Sequence, residues 1–127
     1  MEVRKGIFYT KEHEWLKVEG NKGLVGITEY AVHTLGDITF VEISPLETVV
    51  SQFGKMGTVE SVKAASDIFS PVSGKIIAVN EKLSNSPEIL NTSPYDDGWL
   101  AVIEISSPDE VKNLMTSEQY MEYIENL

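Results

Sequence analysis

Turn signals interrupt this chain every few residues, at Glu19-Gly20-Asn21, Lys22-Gly23, Ser44-Pro45, Phe53-Gly54-Lys55, Ser73-Gly74, Ser93-Pro94 and Asp96-Asp97-Gly98. Glycine supplies backbone angles that other residues avoid, and proline presets φ, so such clusters punctuate the chain into short pieces. The pieces between them, residues 24–28, 38–43, 58–62, 75–79 and 100–105, are rich in β-branched side chains. Residues 39–43 and 100–105 alternate polar and apolar over part of their length, the pattern of a half-buried strand. Many short strands with frequent turns predict a mainly β protein, a sandwich or barrel. No glycine-rich phosphate loop opens a helix, so a nucleotide fold has no support. At 127 residues the chain suits one domain. We expect its core over about 7–106 and a helical C-terminal segment over about 107–127.

Helices are predicted only at the periphery. Thr28 is placed to N-cap a helix over 29–35, with Gly36 as its stop. Ser107-Pro108-Asp109-Glu110 reads as a capping box with proline in the first turn. Val111, Leu114 and Met115 would then give that helix an apolar face. A last segment over 117–124 carries Tyr120, Met121, Tyr123 and Ile124, which are expected to dock on the domain. Gly23-Leu24-Val25-Gly26-Ile27 and Gly74-Lys75-Ile76-Ile77-Ala78 echo each other, suggesting two similar halves.

Charge and cysteine content narrow the function. The net charge is −10, from 20 acidic and 10 basic residues. That balance repels phosphate backbones and anionic lipid, so neither nucleic acid nor membrane is an expected partner; it suits solubility, or electrostatic steering toward basic surfaces on partner proteins. Cysteine is absent, so disulfides and thiolate metal sites are excluded. The opening Met1-Glu2-Val3-Arg4-Lys5-Gly6 lacks signal or transit character, and a bacterial cytoplasm is expected, or a mitochondrial matrix if a transit peptide has been removed.

Residues 60–69, Glu60-Ser61-Val62-Lys63-Ala64-Ala65-Ser66-Asp67-Ile68-Phe69, isolate one lysine at what reads as the tip of a β-hairpin. Small residues follow Lys63, and carboxylates at Glu60 and Asp67 frame it. On residue type alone this reads as an ordinary solvated turn lysine, though a lone cation on an exposed turn is also well placed for an enzyme to grip and acylate. The histidines add little: His13, beside Trp15 in a strand-like block, reads as half-buried and structural, and His33 as solvent-facing on the first helix. No nucleophile is paired with a base, so no catalytic residue is assigned, and two scattered histidines do not predict a metal site. The acids Glu12, Glu14, Glu29, Asp37, Glu60 and Asp67 read mostly as solvated surface groups.

The run Val59 to Asp67, followed by Ser70-Pro71-Val72-Ser73-Gly74, resembles the lipoylation site of the glycine cleavage system H protein family. So do Tyr9-Thr10-Lys11-Glu12-His13-Glu14-Trp15, Val25-Gly26-Ile27-Thr28-Glu29-Tyr30-Ala31, Leu35-Gly36-Asp37-Ile38, Val79-Asn80, and Asn91-Thr92-Ser93-Pro94-Tyr95 through Gly98-Trp99. The resemblance implies a lipoyl-type β-sandwich of the barrel-sandwich hybrid kind, monomeric, with lipoic acid in amide linkage to Lys63. Glu60, Ser61, Val62 and Ala64 become the recognition context. It further implies an aminomethyl group passed from glycine decarboxylase to an aminomethyltransferase, an arm reoxidised by dihydrolipoyl dehydrogenase, and modification by a lipoate ligase or a lipoyl/octanoyl transferase. A cleft for the loaded arm would draw on Glu14 and Asp67, with Glu12 and His33. One position departs from the family, which often has histidine before Leu-Gly-Asp; here Thr34 stands there and the histidine is His33.

Other carriers fit less well. Biotin sites of the related fold usually flank the lysine with methionines, where this chain has Val62 and Ala64. Lipoyl modules of 2-oxoacid dehydrogenases sit beside Ala/Pro-rich linkers, which this chain lacks. An H-like lipoate relay protein shares every motif above, and a small hydrolase using Glu12, His13 or Glu14 has no matched acid and base.

Overall fold

The short β-branched segments pair into two antiparallel sheets. The structure, a computed structural model, describes residues 1–127. Along the chain run β1 (Phe8–Tyr9), β2 (Glu14–Glu19), β3 (Lys22–Ile27), α1 (Glu29–Leu35), β4 (Ile38–Ile43), β5 (Val49–Val50), β6 (Lys55–Ser61) and β7 (Ala65–Phe69). There follow β8 (Gly74–Val79), the helical turns α2 (Lys82–Asn85) and α3 (Ile89–Thr92), β9 (Ala101–Ile105), a 3-10 turn over Pro108–Asn113, and α4 (Ser117–Glu125). One sheet has the order β1-β2-β3-β9-β8-β5 and the other β4-β6-β7. The two glycine-rich segments that echo each other in sequence, β3 and β8, flank β9 on either side.

The core lies where the sheets face each other. Leu16, Val25, Ile76 and Ile103 from the larger sheet meet Val41, Met56, Val59 and Ile68 from the smaller, with Leu83, Leu90 and Leu114 closing the ends. Each such burial is worth roughly 1.5–3 kcal/mol. A second cluster joins Tyr9, Trp15, Tyr95 and Tyr120. Trp15 donates from Nε1 to the carbonyls of Ile27 and Pro94, both at 3.1 Å. Its ring lies flat over Gly26, where a Cβ would sit 2.4 Å from Cε2, so only glycine fits there.

The first helix follows the sequence reading. Thr28 accepts the Ala31 N–H at 3.2 Å, and the Gly36 N–H closes on the Val32 carbonyl at 2.9 Å. The C-terminal segment departs from it. Ser107 makes no capping bond, and residues 108–113 form a 3-10 turn. The reason is competition for Glu110, whose carboxylate instead takes the Ser73 N–H and hydroxyl, both at 2.7 Å. Leu114 is already extended, and Met115 bridges to Tyr9. The capping box belongs to α4, where the Thr116 side chain accepts from the Gln119 N–H and the Gln119 side chain accepts from the Thr116 N–H. Tyr120 is fully buried and its hydroxyl lies 2.8 Å from His13 Nδ1 and 2.7 Å from Thr28 Oγ1. That docks α4 on the β1–β2 turn and the start of α1, whereas Met121 faces solvent. Thr116→Ala should cost about 1 kcal/mol; an unchanged thermal midpoint would show that tertiary docking alone holds α4.

His13 is half-buried as expected, but it sits in a turn at φ 75° and not in a strand. Its pKa is lowered by burial, against the opposing pull of Glu12.

Candidate functional site

The hairpin of β6 and β7 is in register as Thr58 opposite Asp67, Val59 opposite Ser66 and Glu60 opposite Ala65, leaving Val62, Lys63 and Ala64 at its tip. Ser61 builds the turn. Its N–H donates to the Ala64 carbonyl at 2.7 Å, and its hydroxyl oxygen receives the N–H groups of Ala64 at 3.1 Å and Lys63 at 3.4 Å. Sequence reasoning assigned Ser61 to recognition and missed this turn-closing role, although serine at the start of a tight turn is its usual signal. Val62 is 73% exposed, and the Lys63 side chain makes no hydrogen bond or ion pair. Lys55 and Lys75, by contrast, pair with Asp67 at 3.3 Å and Glu47 at 3.2 Å. The tip thus presents one free amine, followed by two alanines that leave its approach open.

Glu60, Phe40 and Ala65 are cross-strand partners, so their side chains share a face, with Glu42, Thr58 and Asp67 two residues further along each strand. That outer face carries three carboxylates around the exposed Phe40 ring.

The residues expected to form an arm cleft are not gathered around one cavity. Glu14, read as a surface acid, is 1% exposed. Its carboxylate lies 2.5 Å from the Thr10 hydroxyl and accepts the Phe69 N–H at 3.1 Å, tying the β1–β2 turn to the lysine-bearing strand. Burial raises its pKa to about 7, against the lowering effect of those two hydrogen bonds. Asp67, two residues from Phe69, is exposed and held by Lys55. Glu12 lines a groove of about 450 Å³ with Tyr9, Phe53, Phe69 and Met115. His33 lines a separate polar cavity of about 400 Å³ with Glu29, Asp37 and Asn91. No residue of α1 reaches the groove that Glu12 lines.

Covalent attachment of an acyl group needs a reachable amine on a rigid platform, and Lys63 meets both conditions. Two antiparallel sheets with an unpaired lysine at a hairpin tip fit the lipoyl-type carrier domains. The profile describing the glycine cleavage H-protein matches residues 7–127, and the chain belongs to that family. A glycine cleavage system H protein of Coprothermobacter proteolyticus is 50% identical over 125 residues, 98% of each chain. A Schizosaccharomyces pombe relative, named as a mitochondrial H protein of the same system, is 50% identical over 115 residues, 91% of this chain and 68% of that one. The crystal structure of an H protein from Mycobacterium marinum matches with TM-score 0.89 at 34% identity, covering 98% of this chain and 100% of that one. The chain is therefore the lipoyl carrier of the glycine cleavage system.

Proposed function

We propose that Lys63 is the attachment residue and that the protein contributes presentation and no catalysis of its own. The observation that carries this is the free Lys63 amine on a turn closed by Ser61. The lipoyl group, when bound, supplies the redox-active dithiolane that takes up the aminomethyl cargo. Everything else falls to the chain's own residues. The Ser61 turn sets the point from which the arm swings, and the small residues Ala64 and Ala65 leave an enzyme room to enclose it. The carboxylates Glu42, Glu60 and Asp67 offer a negative face to basic partner mouths. Asp67, exposed on the same hairpin and paired with Lys55, is the carboxylate offered to a cationic cargo, which would have to displace that lysine. Glu14 acts beneath it by holding the Phe69 backbone.

The partners that follow are glycine decarboxylase, the aminomethyltransferase, dihydrolipoyl dehydrogenase and a lipoylating ligase or transferase. This reading suits a bacterial cytoplasm, or a mitochondrial matrix if a transit peptide has been removed. Glycine–bicarbonate exchange by purified glycine decarboxylase tests the reading: the lipoylated chain should support exchange and the unmodified chain should not. Equal exchange with both would overturn it. Glu60 is the acid best placed to mark Lys63 for the lipoylating enzyme. Glu60→Ala should slow lipoylation severalfold with a thermal midpoint close to wild type, since an exposed strand side chain contributes little to stability. An unchanged rate would move recognition to hairpin shape alone.

A further inference from the structure

The hairpin tip does not stand free. The Val62 N–H donates to the Asp37 carbonyl at 3.1 Å, the bond by which the tip is held from outside the hairpin. A Cβ built on Gly36 would lie 3.6 Å from Lys63 Cε, so the lysine stem rests over that glycine. Gly36 has φ 83° and ψ −151°, a conformation open almost only to glycine. The bridge Gly36-Asp37-Ile38 is therefore the bed of the attachment site.

Regular sheet pairing does not secure this bed. A bulge falls between Ile38 and Phe40, where β4 begins to pair with β6. The backbone groups on the far side of the bridge are taken by one side chain. Asn91 donates from Nδ2 to the Gly36 carbonyl at 2.9 Å and accepts the Ile38 N–H on Oδ1 at 2.9 Å. A parallel strand beside Asp37 would bond the same two groups, the carbonyl before it and the N–H after it. The Asp37 carbonyl itself points the opposite way, toward Val62. Asn91 is in turn fixed by α3, whose Leu90 is fully buried in the core.

We propose that Asn91 is a positioning residue for lipoylation: its amide clamps the Gly36–Ile38 bridge and so fixes how the tip offers Lys63 to the modifying enzyme. This rests on Lys63 being the attachment residue. Removing the clamp leaves the sheets intact and lets the bed drift, and a misplacement near 1 Å can cost a transfer enzyme one to two orders of magnitude.

The test compares wild type with Asn91→Ala, Asn91→Asp and the control Asn113→Ala, whose side chain bonds only Gln52. Enzymatic lipoylation, acetylation of Lys63 by a small activated ester, and hydrogen exchange at the Val62 and Ile38 amides are each measured. Asn91→Ala should lower kcat/KM for lipoylation roughly tenfold, with ester reactivity within about twofold and faster exchange at both amides. Asn91→Asp keeps the acceptor for Ile38 and loses the donor to Gly36, so it should fall between. Asn113→Ala should match wild type. Wild-type lipoylation by both Asn91 variants overturns the proposal, as does an equal loss in Asn113→Ala. Labelling of a Lys63→Arg chain would instead overturn the attachment assignment, which separates the two failures.

Discussion

Lys63→Arg is expected to abolish lipoylation and, with it, all glycine–bicarbonate exchange, while the unfolding free energy stays within about 0.5 kcal/mol of wild type. The Lys63 side chain has no ion pair or hydrogen bond to lose. Its turn is held by Ser61 and by the Val62 N–H, neither of which the substitution touches. Arginine keeps the charge and length but its guanidinium stays protonated at every working pH and offers no free amine lone pair for acylation. Loss of exchange together with a lowered midpoint would mean that the lysine has a structural role instead. Label appearing on Lys75 or Lys82 would mean the enzyme reads another site.

The second large effect is a pH-dependent stability that Glu14→Gln should remove. The folded pKa of Glu14, about 7, lies above the 4.5 of the unfolded chain. Between those values the folded state binds more protons than the unfolded one, so this group's contribution to stability falls as pH rises through the window. Below about 4.5 both states are protonated, and above about 7 both are ionised and the burial cost is borne in full. Glutamine fits the same place, accepting the Phe69 N–H and turning its amide toward the Thr10 hydroxyl, without titrating. The variant should therefore be more stable than wild type at pH 8 by on the order of 2–3 kcal/mol, with the difference shrinking by pH 5. His13 is common to both proteins, and its contribution cancels in the difference. Urea denaturation of the pair at pH 5, 6, 7 and 8 reads it directly; a constant gap would show that Glu14 has an ordinary pKa.

Local chemistry made some features legible before the fold was in view. Thr28 and Gly36 bounded α1 because a cap hydroxyl and a positive-φ residue act within one turn of the helix. β4 was expected over the residues it occupies, and β8 and β9 to within one residue at their starts. The two-residue strands β1 and β5 carried no signal: both are too short to show an alternation of faces, and β5 exists only through β8, a partner distant in sequence. The Ser107 capping box failed for the same class of reason: Glu110 had a stronger partner in Ser73, 37 residues away. Glu14 looked solvated because nothing in Thr10 to Glu14 reveals that Phe69 closes over it. Asn91 was visible only as part of a turn-rich motif; its two backbone partners lie 53 and 55 residues distant. The reading of Lys63 as the attachment residue rests on the resemblance carried by Val59 to Asp67, because the local pattern alone is that of an ordinary turn lysine.

The most direct test of the account is peptide mapping by tandem mass spectrometry after enzymatic lipoylation of the purified chain. The account predicts one lipoyl group per molecule, located on the peptide containing Lys63, with every other lysine unmodified. A lipoyl group on any other lysine with Lys63 bare, or biotin in its place, would contradict it.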